Sequence, residues 1–457
     1  MGKLRFLFAL WMAKLSIPAL KITRHNGTDF PGSLALRLCP NFLHYIGKPE
    51  HIIAVTGTNG KTTVSNLLTD LLEASGRRVL SNRAGSNISS GISTALLKGC
   101  DLLGRAKKYD LAVLEVDERS APRIYPHVKP EYVVVTNLFR DSLKRNAHPD
   151  YIFSIIDTYC PDTTKLILNA DELCCSMLKA NNPRAFYGIG KLPTDLTESI
   201  NSVADYSICP ECGTKLTYDY LRYHHIGYAR CGNCGFHSQD AQYLASNIDY
   251  ENKTITITHN GEDMQYPLIS DVLFNIYNEV TVITTLLELG ISKERVYEMV
   301  EKIHVPDSRL NHTVVGGVKV VQAMSKGQSC ISSCRTFDYV SGQPEKKVVV
   351  LAMDDYYDRK KSIEYIGWIY DVDYEFLAKD NVIQVVATGP RCYDNKVRLL
   401  LAGVTEDRIS CADEEMAGID LVNIADAESV YILYDTSTYN LSCQMKEKLL
   451  HRLEAAK

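Results

Sequence analysis

A chain of 457 residues is too long for one core and predicts two or three domains. Its 45% hydrophobic and 23% charged residues are ordinary for a soluble globular protein, and a net charge of −5 gives no hint of a general nucleic-acid binder, which would normally carry a basic face. Of its 14 cysteines, four stand in CxxC pairs. The rest, such as Cys39, Cys100 and Cys160, sit in apolar surroundings as free thiols of a reducing compartment do, which predicts a cytoplasmic protein.

In chain order, the first segment is MGKLRFLFALWMAKLSIPAL. The apolar run from Phe6 to Ala13 is about half of what spans a bilayer, and Lys14 interrupts it. No small-x-small cleavage site follows, so neither a signal peptide nor a transmembrane helix is expected. Leu4, Leu7, Phe8, Trp11 and Leu15 share one helical face, with Lys3 and Lys14 off it. The expectation is that this face packs on the next domain, with contact to a membrane surface as the alternative.

HIIAVTG then reads as a buried parallel strand, and TTVSNLLTDLLEASG as a helix ending at Gly76. Between them lies GTNGKTT. The common phosphate loop GxxxxGK(S/T) would need glycine where Val55 stands; here the first glycine is Gly57. Strand, glycine turn and helix still provide what an anion needs: backbone N–H groups, a helix N-terminus, the mobile charge of Lys61 and the Thr62 hydroxyl for Mg²⁺. RRVLSN is a further strand, and RAGSNISSGISTALLKG turns into a helix. YDLAVLEVDE is a third strand ending in Glu115, Asp117 and Glu118. Strand-end acids are often only solvated charges, but beside a phosphate loop Glu115 is the candidate magnesium ligand. EYVVVTNLFRD and TKLILNAD complete five strands, and the alternation predicts a mostly parallel, doubly wound sheet.

Cys209-Pro-Glu-Cys212 and Cys231-Gly-Asn-Cys234 follow. Two CxxC knuckles supply four thiolates for a tetrahedral Zn²⁺, and Gly213 and Gly235 allow the turns around it. Four ligands leave no open position, so the site is expected to be structural; iron also suits four thiolates. His224, His225 and His237 are expected to be surface histidines of this small ribbon, with a place among the metal ligands as the alternative. Helix and strand patterns resume after it, and from about Pro306 KKVVVLAMDD, NVIQVVATG and SVYILYD read as strands, with TYNLSCQMKEKLLHRLE as a closing helix.

GTNGKTT, SNRAGSN, LEVDE, VVVTNLFRD and LNAD, in this order, resemble the ATP-dependent Mur ligases of cell-wall synthesis. FPGSLALRLCP and the four-cysteine cluster resemble the MurT branch of that family, the ligase subunits of lipid II isoglutaminyl synthases. The resemblance implies an α/β fold: a segment 1–46, a central ATPase domain 47–305 with a zinc ribbon inserted at 205–240, and a smaller α/β domain 306–457. It also implies ATP, Mg²⁺ and structural Zn²⁺, with Gly57, Thr58, Asn59, Gly60, Lys61, Thr62 and Thr63 around the phosphates. Thr62 and Glu115 would hold magnesium, and Asn275, paired with Asn278 in an N-x-x-N pattern, and Arg309 would hold the nucleotide.

The implied reaction activates the α-carboxyl of D-glutamate in the lipid II stem peptide as an acyl phosphate. Ammonia from a GatD-type glutamine amidotransferase, the partner in a heterodimer, converts it to D-isoglutamine. Lipid II as substrate implies a cytoplasmic protein with possible peripheral contact at the inner face of the membrane, and no nucleic acid.

The chain departs from the family pattern at SLKRNAHPD after NLFRD, at QAMSKGQSC, and in DDYYDRKKSIEYIGWIYDVDYEFL. In the last stretch Trp368, Asp371 and Asp373 keep their places, but Tyr365 stands where the family has the aspartate that completes the partner's active site. Glu364 and Asp355 are the candidate catalytic substitutes, with Asp354 and Asp358 beside them. A Mur-type ligase joining another acid and amine, and a non-catalytic nucleotide-binding paralogue, are the alternatives.

Overall fold

A computed structural model describes residues 2–22, 27–140, 148–303, 310–325, 329–353 and 366–455. The chain divides into two compact units. The first comprises Met1–Phe139, Pro149–Glu198 and Asp205–Val305; the second comprises Arg140–His148, Ser199–Ala204 and Pro306–Lys457.

The first unit opens with helices α1 (Gly2–Ile22), α2 (Phe30–Leu38) and α3 (Phe42–Tyr45). Strands and helices then alternate as β1 (Ile52–Thr56), α4 (Lys61–Ala74), β2 (Val79–Ser81), α5 (Ser89–Lys98), β3 (Leu111–Glu115), α6 (Ala121–Val128) and β4 (Tyr132–Val135). The alternation goes on through α7 (Pro149–Tyr159), β5 (Lys165–Asn169), α8 (Leu173–Ser176) and β6 (Arg184–Ile189). A hairpin, β7 (Thr217–Tyr223) with β8 (Ile226–Arg230), forms its own small sheet. Strands β9 (Tyr243–Asp249), β10 (Thr254–His259) and β11 (Glu262–Pro267) lead to helices α9 (Leu273–Glu288) and α10 (Lys293–Glu301).

Nine strands form one sheet in the order β11-β10-β9-β6-β5-β4-β1-β3-β2. It is parallel from β2 to β9, and β9, β10 and β11 extend it antiparallel. Every residue of β1 is buried, as the continuous apolar run requires of a strand covered by helices on both faces. β1 lies between β3 and β4. The strand order reverses there, and the crevice at the carboxyl ends of β1 and β4 is where an open α/β sheet receives its ligand.

Helix α1 corrects the sequence expectation. Its buried residues are Phe6, Ala9, Leu10 and Ala13, and Phe6 lies against the ring of Phe42. Of the face expected to pack inward, Leu4, Phe8, Trp11 and Leu15 are exposed, and Leu7 alone is partly buried against the core. Two small alanines let the helix sit close to its neighbours, and that close approach fixed the buried face in place of the bulkier stripe.

The second unit has a six-stranded sheet of β12 (Leu310–Val315), β13 (Val318–Met324), β14 (Lys347–Ala352), β15 (Val382–Thr388), β16 (Ile409–Ala412) and β17 (Ser429–Tyr434). The order is β12-β13-β17-β14-β15-β16, parallel except for the edge strand β12. Helices α11 (Cys330–Gly342), α12 (Cys392–Leu401), α13 (Glu415–Asp420) and α14 (Tyr439–Ala455) accompany it. Val350, Ile432, Met445 and Leu449 belong to its core.

Candidate functional site

The GTNGKTT loop joins β1 to α4. Gly57 and Gly60 have φ of 125° and 85°, backbone that L side chains rarely adopt. Space demands glycine as well: a Cβ on Gly57 would stand 2.3 Å from Thr136 Oγ1, and one on Gly60 2.3 Å from Asn278 Oδ1. The segment after β4 braces the loop. Thr58 N donates to Asn137 O at 2.8 Å, Asn59 N to Asn137 Oδ1 at 3.0 Å, and Thr136 Oγ1 to Asn59 O at 2.6 Å. Phe139 N donates to Thr58 Oγ1 at 2.9 Å. The motifs GTNGKTT and VVVTNLF thus form one hydrogen-bonded structure. Gly60 caps α4 without a side chain, so the helix N-terminus, where an anion is stabilised, opens on the loop with Thr62 and Thr63 in its first turn.

Lys61 Nζ donates to Glu118 Oε1 at 2.7 Å, to Thr58 O at 3.3 Å and to Gly57 O. The same Glu118 oxygen accepts the Gly57 N–H at 3.1 Å, and Glu118 is buried. Glu115 stands at the end of β3 beside Val55. Its Oε1 accepts from Asn87 Nδ2 at 2.8 Å, and its backbone exchanges two hydrogen bonds with Asn82. Lys61 therefore pairs with Glu118, which sequence reasoning passed over in favour of Glu115. A 3-10 turn, Glu118–Ser120, capped by Asp117, directs the third acid of LEVDE back under the loop.

Asn278, on α9, is buried against Gly60. Asn275, one turn earlier, donates to Ser270 Oγ at 3.2 Å and accepts from Asn278 Nδ2 at 3.5 Å. Asn278 supports the loop, and Asn275 continues the line away from it.

The four ribbon thiols converge, their Sγ atoms all within 4.8 Å of one another. Cys209 and Cys234 are 3.6 Å apart, and Cys212 and Cys231 3.5 Å. Zinc–sulfur bonds of about 2.3 Å in a tetrahedron set ligands just under ~4 Å apart, so the donor set fits such an ion. Both knuckles close the same way: Gly213 N donates to Cys209 O and Gly235 N to Cys231 O, at φ of 73° and 78°.

The β7–β8 hairpin ties the ribbon to the sheet. The Arg222 side chain is buried, paired with Asp171 at 2.7 Å and Asp195 at 3.2 Å, and donates to the Tyr277 hydroxyl of α9. His225 Nε2 meets Glu172 Oε1 at 2.9 Å, with both side chains fully buried. The expectation of surface histidines is corrected for His224 and His225, which are buried. His237 is exposed and stacks on Tyr228. A polar residue can be buried when it is hydrogen-bonded, and Glu172 provides that for His225.

The Mur ligase middle domain matches residues 55–204, and the MurT ligase C-terminal domain residues 331–440. The lipid II isoglutaminyl synthase (glutamine-hydrolyzing) subunit MurT of Staphylococcus aureus (strain COL) is 31% identical over 400 residues, 87% of this chain and 88% of the relative. The chain belongs to the MurT family of Mur ligases. The MurT subunit of Streptococcus pneumoniae (strain ATCC BAA-255 / R6) is 25% identical over 93% of each chain. A pseudomurein peptide ligase type C from Methanothermus fervidus shares the fold, with a TM-score of 0.66 at 19% identity over 90% of this chain and 81% of that one.

This MurT-family chain is an ATP-dependent ligase, and its loop suits nucleotide phosphates because Gly60 caps α4 with no side-chain hydrogen bond, which leaves the N–H groups of the helix N-terminus to an anion. In the second unit Asp373 accepts from Asn201 Nδ2 at 2.7 Å and from Ser202 N and Oγ at 2.7 and 2.6 Å. Burial raises the Asp373 carboxyl, but the bonds from Ser202 and Asn201 outweigh it and hold it below its ordinary value. Asp373 therefore has a structural task. Trp368 is buried. Arg309, Glu364, Asp355, Asp354, Asp358 and Tyr365 lie outside the described residues.

Proposed function

We propose that this chain is the ligase subunit of a lipid II isoglutaminyl synthase. It amidates the α-carboxyl of D-glutamate in the stem peptide to D-isoglutamine, with ammonia from a GatD-type glutamine amidotransferase. What carries the reading is similarity along 87% of the chain to a protein of that name, on a chain whose phosphate loop is intact.

A carboxylate resists attack because its oxygen is a poor leaving group. Transfer of the γ-phosphoryl of ATP to that oxygen releases ADP and gives an acyl phosphate. Ammonia then adds to the carbonyl carbon, the C–O bond to phosphate breaks, and a proton leaves the nitrogen. In such chemistry the protein mainly positions groups and neutralises charge. The N–H groups of residues 57–63 and the start of α4 face the phosphates in this reading. Lys61, kept in place by Glu118 and two loop carbonyls, brings its charge to the transferred group. Thr62 and Glu115 hold Mg²⁺, which when bound offsets charge on the phosphate oxygens. Asn275 and Arg309 hold the nucleotide, and Glu364 or Asp355 supplies the acid facing the partner. Cys209, Cys212, Cys231 and Cys234 hold a structural Zn²⁺. A lipid-linked acceptor makes the inner face of the membrane the place of work.

The test is ATP hydrolysis with Mg²⁺, ammonium and lipid II, for the protein and its Lys61→Ala variant, with the stem peptide read by mass. A lysine-dependent replacement of OH by NH₂ is expected. Turnover only with another acid or amine would indicate a different ligase, and nucleotide binding with no turnover a non-catalytic protein.

A further inference from the structure

We propose that α1 docks the protein on an anionic membrane surface, lying in the plane of the interface. At about 100° per residue, Leu4, Phe8, Trp11, Leu15 and Ile22 form one line along the helix. It runs opposite the buried line of Phe6, Ala9, Leu10 and Ala13. That outer line is bare: Leu4 is 76%, Leu15 66% and Ile22 83% exposed, and Phe8 and Trp11 about half. Trp11 Nε1 donates to Leu102 O at 2.8 Å, which fixes the indole and adds exposed Leu102 and Leu103 to the patch. A soluble protein rarely leaves so many large apolar side chains contiguous without a partner.

Charge selects the partner. The helix carries Lys3, Arg5, Lys14 and Lys21 and no acidic residue, on a chain whose net charge is −5. Lys3, Lys14 and Lys21 follow one flank of the apolar line and Arg5 the other. Lys14 is taken up by the carbonyls of Leu97 and Cys100, and Arg5 Nε donates to Leu38 O at 2.6 Å, while Lys3, Arg5 and Lys21 stay exposed. A Leu/Phe/Trp stripe bordered by cations, with its inner face already committed, is the form of an interfacial helix. The helix does not span: among the described residues none is long and apolar enough to cross a membrane. Docking deepens the ligase reading, since a lipid-linked acceptor lies in the same surface, but it rests on the helix alone.

The experiment is cosedimentation of the full chain with vesicles, without nucleotide or acceptor, so its failure and that of the ligase reading are separate results. Phosphatidylcholine vesicles are compared with vesicles that also contain phosphatidylglycerol. Binding to the anionic vesicles, weakened by salt and accompanied by a blue shift of Trp11 fluorescence, is expected. The exposed pair Leu4→Ser and Leu15→Ser should lower that binding at least tenfold and leave ATP hydrolysis unchanged. No sedimentation with anionic vesicles, or equal binding by the double variant, overturns the proposal. So does a self-association, or a complex with an amidotransferase subunit, that the same two substitutions dissolve while vesicle binding persists.

Discussion

Replacing Glu172 with glutamine tests how the ribbon and the phosphate loop are held in register. Each oxygen of this fully buried carboxylate accepts two N–H donors at 2.9 Å: Oε1 from Cys174 N and His225 Nε2, Oε2 from Leu138 N and Cys175 N. Leu138 precedes Phe139, which grips Thr58. One side chain thus links the hairpin, the N-terminus of α8 and the bracing of the loop. Glutamine has the same shape but one acceptor oxygen. If its NH₂ turns toward His225, the imidazole can accept only as the other tautomer, which orphans the Cys174 N–H and puts a proton on the buried Nδ1, an atom with no hydrogen-bond partner. The other orientation orphans both Leu138 and Cys175. A buried orphaned donor costs about 1–3 kcal/mol, and bonds to a charged acceptor are the stronger kind. The variant should therefore lose about 2–4 kcal/mol from the first unit and bind ATP more weakly. Urea titration in a Trp368→Phe background, where Trp11 alone reports on that unit, measures the loss. A change below about 1 kcal/mol, with unaltered ATP affinity, would refute the idea that these bonds are made and matter.

Gly60→Ala places a methyl group 2.3 Å from Asn278 Oδ1 at a φ of 85°, so nucleotide affinity should fall at least about tenfold, read by calorimetry; the backbone strain alone is about 1–2 kcal/mol. Glu118→Gln weakens the hold on Lys61 and should slow turnover more than it changes ATP affinity, which a split of kcat from KM will detect. Titrating the thiols with a mercurial should release bound metal and lower the melting temperature; visible absorbance before release would identify iron in place of zinc. Burial pushes the Glu279 carboxyl up to about 8 against the single N–H bond from Ile269. Because the folded state holds this proton more tightly, its contribution is complete below the unfolded value near 4.5 and is lost as pH rises through about 8. The slope is about 1.4 kcal/mol per pH unit. Glu279→Gln should flatten the fall in stability between about pH 4.5 and 8, and an unchanged slope would exclude the assignment.

What the sequence made legible was local. The loop, its strand and its helix follow from HIIAVTG, GTNGKTT and the spacing of Val64, Leu68 and Leu72, and the four cysteines from two identical turns. Glu118 was not legible as Lys61's partner, because a strand reading of LEVDE stops at its last extended residue and a short 3-10 turn decides the rest. The burial of His225 depends on Glu172, which is distant in sequence, so no local pattern could supply it. The antiparallel strands β10 and β11 did carry a signal, since Asn260-Gly261 is the dipeptide of a tight hairpin turn and both residues have positive φ. The face of α1 was misjudged because periodicity finds an apolar stripe without saying whether protein or something else will cover it.

The clasp on Asp373 makes the C-terminal unit something other than a detachable module. Ser202 and Asp373 are 171 residues apart in the chain, and Ser199–Ala204 belongs to the later unit though it interrupts the earlier one. A fragment cut at Pro306 would leave that buried carboxylate without its three donors. A ribosome making the full chain holds Asn201 and Ser202 ready long before their acceptor emerges. Closing so long a loop costs entropy before the clasp returns anything, so the second unit, whose clasp needs residues on both sides of that loop, should be the later of the two to fold.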